Sequence, residues 1–194
     1  MLRAGLTPNA VSLLSVVCAA VSGAASLAAT AGAGWTWIWW LMAAAGIQLR
    51  LVCNLMDGML SVEGGLKSVT GELFNEIPDR VADALILVPL GYAVGTAWGI
   101  ALGWGAAVGA VFTAYIRALG AGLTKRQDFC GPMAKPHRMA VATVACLGMI
   151  ALPWMPGLFP WMACCLTVIN GGIAITAVRR VRHLAAALRE NIAA

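Results

Sequence analysis

The chain has 194 residues, 61% of them hydrophobic and 11% charged, with a formal net charge of +5. A mean hydropathy of +0.84 excludes a soluble single domain, which has no use for so much apolar surface, and makes the bilayer the solvent. The apolar runs are too many and too central for a cleaved signal peptide. The basic residues gather at membrane ends without interleaved aromatics, which excludes a nucleic-acid partner and favours anionic lipid or a phosphorylated substrate.

A short lead, residues 1–8, ends in Thr7-Pro8-Asn9, which reads as a helix start. Six apolar spans follow, at about 11–30, 35–56, 78–96, 98–117, 139–154 and 158–178. Each lies near the roughly 20 residues that a spanning helix needs; the fifth is short and ends at Pro153. Between spans two and three, residues 57–73 read as a turn with Gly64, Gly65 and Gly71. Span four carries Gly99, Gly103, Gly105 and Gly109, two small-xxx-small pairs suited to close packing within a protomer or between the protomers of a homodimer. Residues 118–138 form the longest loop, polar and basic, with Gly131-Pro132 and Pro136. The tail, about 179–194, alternates arginines with Leu and Ala; it suits an interfacial amphipathic helix or a frayed basic anchor. The expectation is an all-α integral membrane protein of six transmembrane helices, one domain over 1–194.

Charge placement fixes the orientation. All thirteen Lys and Arg residues lie in or beside the N-terminus, 57–77, 118–138 and the tail, while the connections around 31–34, 95–98 and 155–157 carry none. The positive-inside rule assigns the charged side, and both termini, to the cytoplasm of a bacterial-type inner membrane. Trp35, Trp37, Trp98, Trp154 and Trp161 sit toward the other face as an aromatic belt. The six cysteines show no CxxC spacing, and most fall within spans as small hydrophobes. His137 and His183 read as surface residues.

The chemistry gathers at 54–83. Six of the eight acidic residues, Asp57, Glu63, Glu72, Glu76, Asp79 and Asp83, fall within twenty-seven positions. Carboxylates so near hydrocarbon call for a cation or a charged partner. Arg50, Asn54 and Asp57 lie at successive turns of helix two; Asn75, Asp79 and Asp83 recur every four residues on helix three. Set side by side, the antiparallel helices bring Asp57 near Asn75, Asn54 near Asp79, and Arg50 to Asp83 as a structural pair one turn deeper. Glu76 is a further candidate ligand. An oxygen-only set of carboxylates and amides favours Mg²⁺, Mn²⁺ or Ca²⁺ over zinc or copper. The competing reading is a solvated acidic helix end, which accounts for Glu72 and Glu76 near a helix N-terminus but not for Asp79 and Asp83.

This stretch resembles the signature of the CDP-alcohol phosphotransferase family, Asp-x-x-Asp-Gly-x-x-Ala-Arg followed by Gly-x-x-x-Asp-x-x-x-Asp. Here it runs Asn54-Leu55-Met56-Asp57-Gly58-Met59-Leu60-Ser61-Val62, then Gly71-Glu72-Leu73-Phe74-Asn75-Glu76-Ile77-Pro78-Asp79. The Thr7-Pro8-Asn9 start and the six-helix layout are similar to the family's as well. The resemblance implies transfer of a phosphatidyl or phosphoalcohol group from a CDP-linked donor, CDP-diacylglycerol-like, to an acceptor hydroxyl, with release of CMP in phospholipid biosynthesis. It implies Mg²⁺ or Mn²⁺ as cofactor, Asp57 and Asp79 as metal ligands, Asp79 as general base, and Gly58 and Gly71 where the nucleotide nears the backbone.

The departures are specific. Asn54 and Asn75 stand where the family has aspartates, and Ser61-Val62 stands for Ala-Arg. Two formal negative charges are gone, which favours one ion, or a second that arrives with the donor pyrophosphate. Lys67, Arg80 or the basic loop takes the part of the missing arginine beside Ser61. Arg117, Lys125, Arg126, Lys135, His137 and Arg138 form a second cationic group, suited to an acceptor or lipid headgroup and equally to positive-inside anchoring. The alternatives are a catalytically silent relative that binds nucleotide or lipid or scaffolds a partner enzyme, and a cation transporter. The transporter reading is weakened by acids clustered at one face.

Overall fold

The computed structural model describes residues 8–32, 34–63, 71–125, 128–151 and 161–193. It contains six helices: α1 Pro8–Thr30, α2 Thr36–Glu63, α3 Gly71–Ala93, α4 Ala97–Thr124, α5 Lys135–Ala151 and α6 Trp161–Ala193. Four of them hold stretches long and apolar enough to cross a bilayer: Ala10–Thr30, Thr36–Asp57, Ala97–Thr124 and Trp161–Arg189. The chain is an integral membrane protein. The other two helices do not meet that standard alone. The first half of α3 carries Glu72, Glu76, Asp79, Arg80 and Asp83, and α5 has 17 residues.

Several boundaries differ from expectation. Residues 57–63, assigned to a turn, continue α2, and α3 begins at Gly71 rather than near residue 78. The loop expected over 118–138 shrinks because α4 runs to Thr124 and α5 starts at Lys135, with Pro136 in its first turn where a missing N–H costs nothing. The basic tail is the uninterrupted continuation of α6 and no separate element. Charged residues ended the apolar spans in the sequence, yet the helices run on through them; Asp57 and Arg180 are bonded to other elements. Gly64, Gly65, Lys67, Arg126, Pro153 and Trp154 lie outside the described residues.

Neighbour relations close into a ring, in the order α1, α2, α5, α6, α4, α3 and back to α1. This overturns the side-by-side placing of helices two and three, which scarcely touch because α1 packs against both. In lipid, helices gain no hydrophobic drive to associate, so contact rests on close packing and internal hydrogen bonds. The buried core is accordingly rich in alanine: Ala19 and Ala25 on α1, Ala43 on α2, Ala82 on α3, Ala106 and Ala110 on α4, Ala142 and Ala145 on α5. Large side chains such as Leu13, Leu49, Val108 and Val168 face outward. The buried serines of α1 are satisfied locally or across the ring: Ser15 donates to Ser12 O at 2.6 Å and Ser22 to Ala43 O at 2.8 Å.

Two close approaches set the α3 side of the ring. Pro89 has no N–H, so the Leu85 carbonyl loses its helical partner; that carbonyl lies where a Cβ on Gly23 of α1 would stand. On the other flank a Cβ on Gly91 would meet Gly103 Cα at 2.7 Å. The paired glycines of α4 therefore serve packing inside the protomer, Gly99 and Gly103 toward α3 and its end, Gly105 and Gly109 toward α6. Trp35, Trp37 and Trp98 are exposed at the N-terminal ends of α2 and α4, opposite in each helix to the charged residues.

Candidate functional site

Where α2, α4 and α6 approach their C-terminal ends and α3 and α5 begin, the ring encloses a pocket of about 340 Å³. Asn54 enters from α2, Glu76, Asp79 and Arg80 from α3, Thr113, Ala114 and Arg117 from α4. Lys135, Pro136 and Arg138 enter from α5, Arg180 from α6, and Phe129 and Ala134 from the connection between α4 and α5. Every helix but α1 contributes. Five cations and two carboxylates form the lining.

The carboxylates are already paired. Arg50, wholly buried, donates through Nη2 to Asp83 Oδ1 at 2.6 Å, to the Asp79 carbonyl at 3.3 Å and to Asp79 Oδ1 at 3.4 Å. Arg138 Nη2 takes the other Asp83 oxygen at 2.8 Å. Lys135 Nζ donates to Asp79 Oδ2, and Arg80 Nη2 lies 3.6 Å from the same oxygen. Glu76 receives Arg117 and, at 3.2 Å, Arg80. Arg117 also lies over the Phe129 ring, 5.3 Å from its centroid, a cation–π contact. Burial lowers the Lys135 amine below its ordinary value; Asp79 pulls it back up and Arg50 pushes it down further.

A second set of bonds fixes the cationic wall. Arg180 donates to Thr113 O at 2.7 Å and to Cys130 O at 3.0 Å. Arg138 reaches Met133 O at 3.2 Å, and Met133 N donates to Thr176 Oγ1 at 3.0 Å. The stretch before α5 is thus held to α4 and α6, which aims Lys135 and Arg138 into the pocket.

The Arg50–Asp83 pair is present, and Asn54 and Asp79 share the pocket. Asp57 does not line it; buried at 5% exposure, it accepts from Ser12 Oγ of α1 at 2.7 Å. Gly58 and Ser61 lie on α2, and Gly71 and Asn75 on α3; the side chains of Ser61 and Asn75, like all of Lys67, lie outside the described residues. Lys125, at the α4 C-cap with φ 57°, and His137 do not line the pocket. Arg180 and Thr113 were missed: Arg180 read as part of the basic tail, Thr113 drew no reading, and neither carries a sequence signal.

The described acids do not assemble a cage for a divalent ion. Among the described residues the one trio of Cys, His, Asp or Glu with ligand atoms within 4.8 Å of one another is Asp128, Cys130 and His183, not the acids of α2 and α3. In that trio Asp128 takes the Cys130 N–H at 2.8 Å and its Sγ at 3.2 Å, with His183 Nδ1 at 3.4 Å. Among the described residues, the buried polar atoms around the pocket without a protein partner are all donors: Arg50 Nε and Nη1, Arg138 Nε and Asn54 Nδ2. Buried N–H groups call for an acceptor. A metal ion supplies none.

No family model matches the chain. A bifunctional IPC transferase and DIPP synthase of Rubrobacter xylanophilus is 36% identical over 118 residues, which is 61% of this chain and 25% of that protein. The chain thus spans about a quarter of the length of the curated relative it matches. The fold is that of a phosphatidylinositol phosphate synthase from Mycobacterium tuberculosis. The structure solved with CDP-DAG bound has a TM-score of 0.73 at 20% identity, covering 94% of this chain and 88% of that one. The structure with manganese and citrate has a TM-score of 0.75 at 20% identity, over 94% and 84%. The apo form has 0.70 at 21%, over 93% and 90%.

Proposed function

We propose that this chain is a membrane phosphotransferase of the CDP-alcohol type, one membrane domain whose six helices all cross the bilayer. It moves a phosphatidyl or phosphoalcohol group from a CDP-linked donor, of the CDP-diacylglycerol kind, to an acceptor hydroxyl and releases CMP. The observation that carries this reading is the pocket itself, which joins the Asp79 carboxylate to a cation-rich wall at one end of a membrane helix ring. Support comes from the motif spacing, from the partial relative, and from the likeness to a fold solved with CDP-DAG bound. The excess of basic residues at this end favours the cytoplasmic side.

The chemistry follows from the chain's own groups. In phosphoryl transfer most of the work is positioning and charge neutralisation. As the donor diphosphate enters, Lys135 and Arg80 turn from Asp79 to the phosphate oxygens. Asp79 Oδ2 is then free to accept the proton of the acceptor hydroxyl. The acceptor oxygen forms its bond to phosphorus while the phosphorus–oxygen bond to CMP breaks; the proton leaves through Asp79 to water. The manganese of the similarly folded structure belongs to that protein. Glu76 and Asp79, the acids that line the pocket, pair with the chain's own cations, and the steps above use these side chains alone.

A second reading, a silent relative that binds nucleotide or lipid, is favoured by Asn54 and by the occupied state of Asp79. One assay separates the two. Purified protein in nanodiscs is given CDP-diacylglycerol and a panel of acceptor alcohols, with and without a phosphate, and CMP is measured. Release that depends on both donor and acceptor supports the enzyme. CDP binding without release for any acceptor supports the silent relative.

A further inference from the structure

We infer that the pocket holds the donor's diphosphate with arginine and lysine alone, without a divalent ion. The inference rests on the CDP-donor reading and adds how that donor is bound.

Three observations carry it. The first is occupancy of the acids. Both oxygens of Asp83 are taken by guanidiniums, at 2.6 and 2.8 Å. Both oxygens of Asp79 lie against cations, Arg50 on one and Lys135 and Arg80 on the other. A dication brought to Asp79, which is 4% exposed, meets these like charges at ion-pair range.

The second is the sign of the unsatisfied atoms. Arg50 and Arg138 are 0% and 3% exposed, yet Arg50 Nε and Nη1 and Arg138 Nε have no acceptor. Guanidinium nitrogens donate and never ligate a cation. Arg138 and Asn54 line the pocket, so an oxygen-rich anion there, or the water that precedes it, completes Arg138 Nε and Asn54 Nδ2, with the Arg50 charge behind them.

The third is charge balance. Among the described residues, six cations, Arg50, Arg80, Arg117, Lys135, Arg138 and Arg180, surround three carboxylates, Glu76, Asp79 and Asp83. A surplus of positive charge remains, formed by side chains that span α2 to α6. Arginine is the side chain best matched to phosphate oxygens. With Asn54 replacing a carboxylate, the site has exchanged metal-binding charge for built-in cations.

The test uses the full chain in nanodiscs, with three probes: Mn²⁺, CDP and inorganic pyrophosphate. Mn²⁺ binding is read by loss of the free-ion paramagnetic resonance signal, and CDP and pyrophosphate binding by calorimetry in EDTA and in Mn²⁺. The expected result is no stoichiometric Mn²⁺ uptake by the protein alone, and CDP affinity equal within about twofold in EDTA and Mn²⁺. Lys135→Ala should weaken CDP about tenfold or more in EDTA, with Lys135→Arg recovering most of it. Mn²⁺ uptake that Asp79→Asn abolishes overturns the inference, and so does CDP binding that requires Mn²⁺; the CDP reading survives both. Pyrophosphate bound in EDTA with no CDP binding keeps the metal-free cradle and sinks the CDP reading. No binding of either anion under any condition overturns both.

Discussion

Arg50 donates to Asp83 across 2.6 Å with both side chains at 0% exposure. The pair is not closed on itself, because Arg138 holds the second Asp83 oxygen. Asp83 therefore bridges α2 and α5 from its position on α3, two helices that it ties to a third.

Removing that bridge should be worse than removing either arginine. Asp83→Asn leaves two buried guanidiniums short of a counter-charge, a class of change that costs about 3–5 kcal/mol. Arg50→Met leaves Asp83 still bonded to Arg138 and should cost less. Thermal unfolding in detergent, followed by tryptophan fluorescence, ranks the variants. The Arg50→Met/Asp83→Asn double variant should recover only part of the loss, since Arg138 stays unpaired. Full recovery would contradict the three-membered arrangement.

Asp79→Asn removes the proposed proton acceptor while keeping shape. CMP release should fall about a hundredfold or more, with the unfolding temperature moved far less than by Asp83→Asn. Activity near the parent level would refute Asp79 as base.

The pH dependence centres on Lys135, which faces Asp79, Arg50 and Asp83. Burial holds its amine below the ordinary 10.5. An anion in the pocket favours the charged amine, so CDP affinity should decline as pH rises through the lowered value, before ordinary lysines titrate. Lys135→Arg should flatten that decline, because a guanidinium stays charged. Stability has the opposite sign. Between the lowered value and 10.5 the unfolded chain binds more protons at this group, so Lys135's own contribution to stability rises with pH. Calorimetry and thermal melts over the same pH series test both slopes.

Gly91→Ala places a methyl 2.7 Å from Gly103 Cα, backbone against backbone, where no rotamer relieves it. Overpacking of this kind costs about 1–3 kcal/mol. Gly122, with nothing within 4 Å of a built Cβ, supplies the control: Gly122→Ala should leave the melting temperature unchanged or raised.

Hydropathy and charge alone determined membrane residence, the helix count, the basic end and the concentration of chemistry at 54–83. Each is a property of composition along the chain, which a low-dielectric solvent enforces segment by segment. The Arg50–Asp83 pair was legible too, since helix period places both residues one turn beyond the motif. Only the tertiary structure decided which helices touch. Ring order depends on where glycines and alanines permit backbones to close, and such contacts carry neither charge nor a distinctive period. That order inserts α1 between α2 and α3 and gives Asp57 to Ser12. It also brings Arg180, nearly a hundred residues from Asp83 in sequence, to the wall of the same pocket. The acids were thus visible in the sequence as a charge needing partners. The structure supplies those partners to Glu76, Asp79 and Asp83 as arginine and lysine, because long cationic side chains from three other helices reach these carboxylates within hydrogen-bond range.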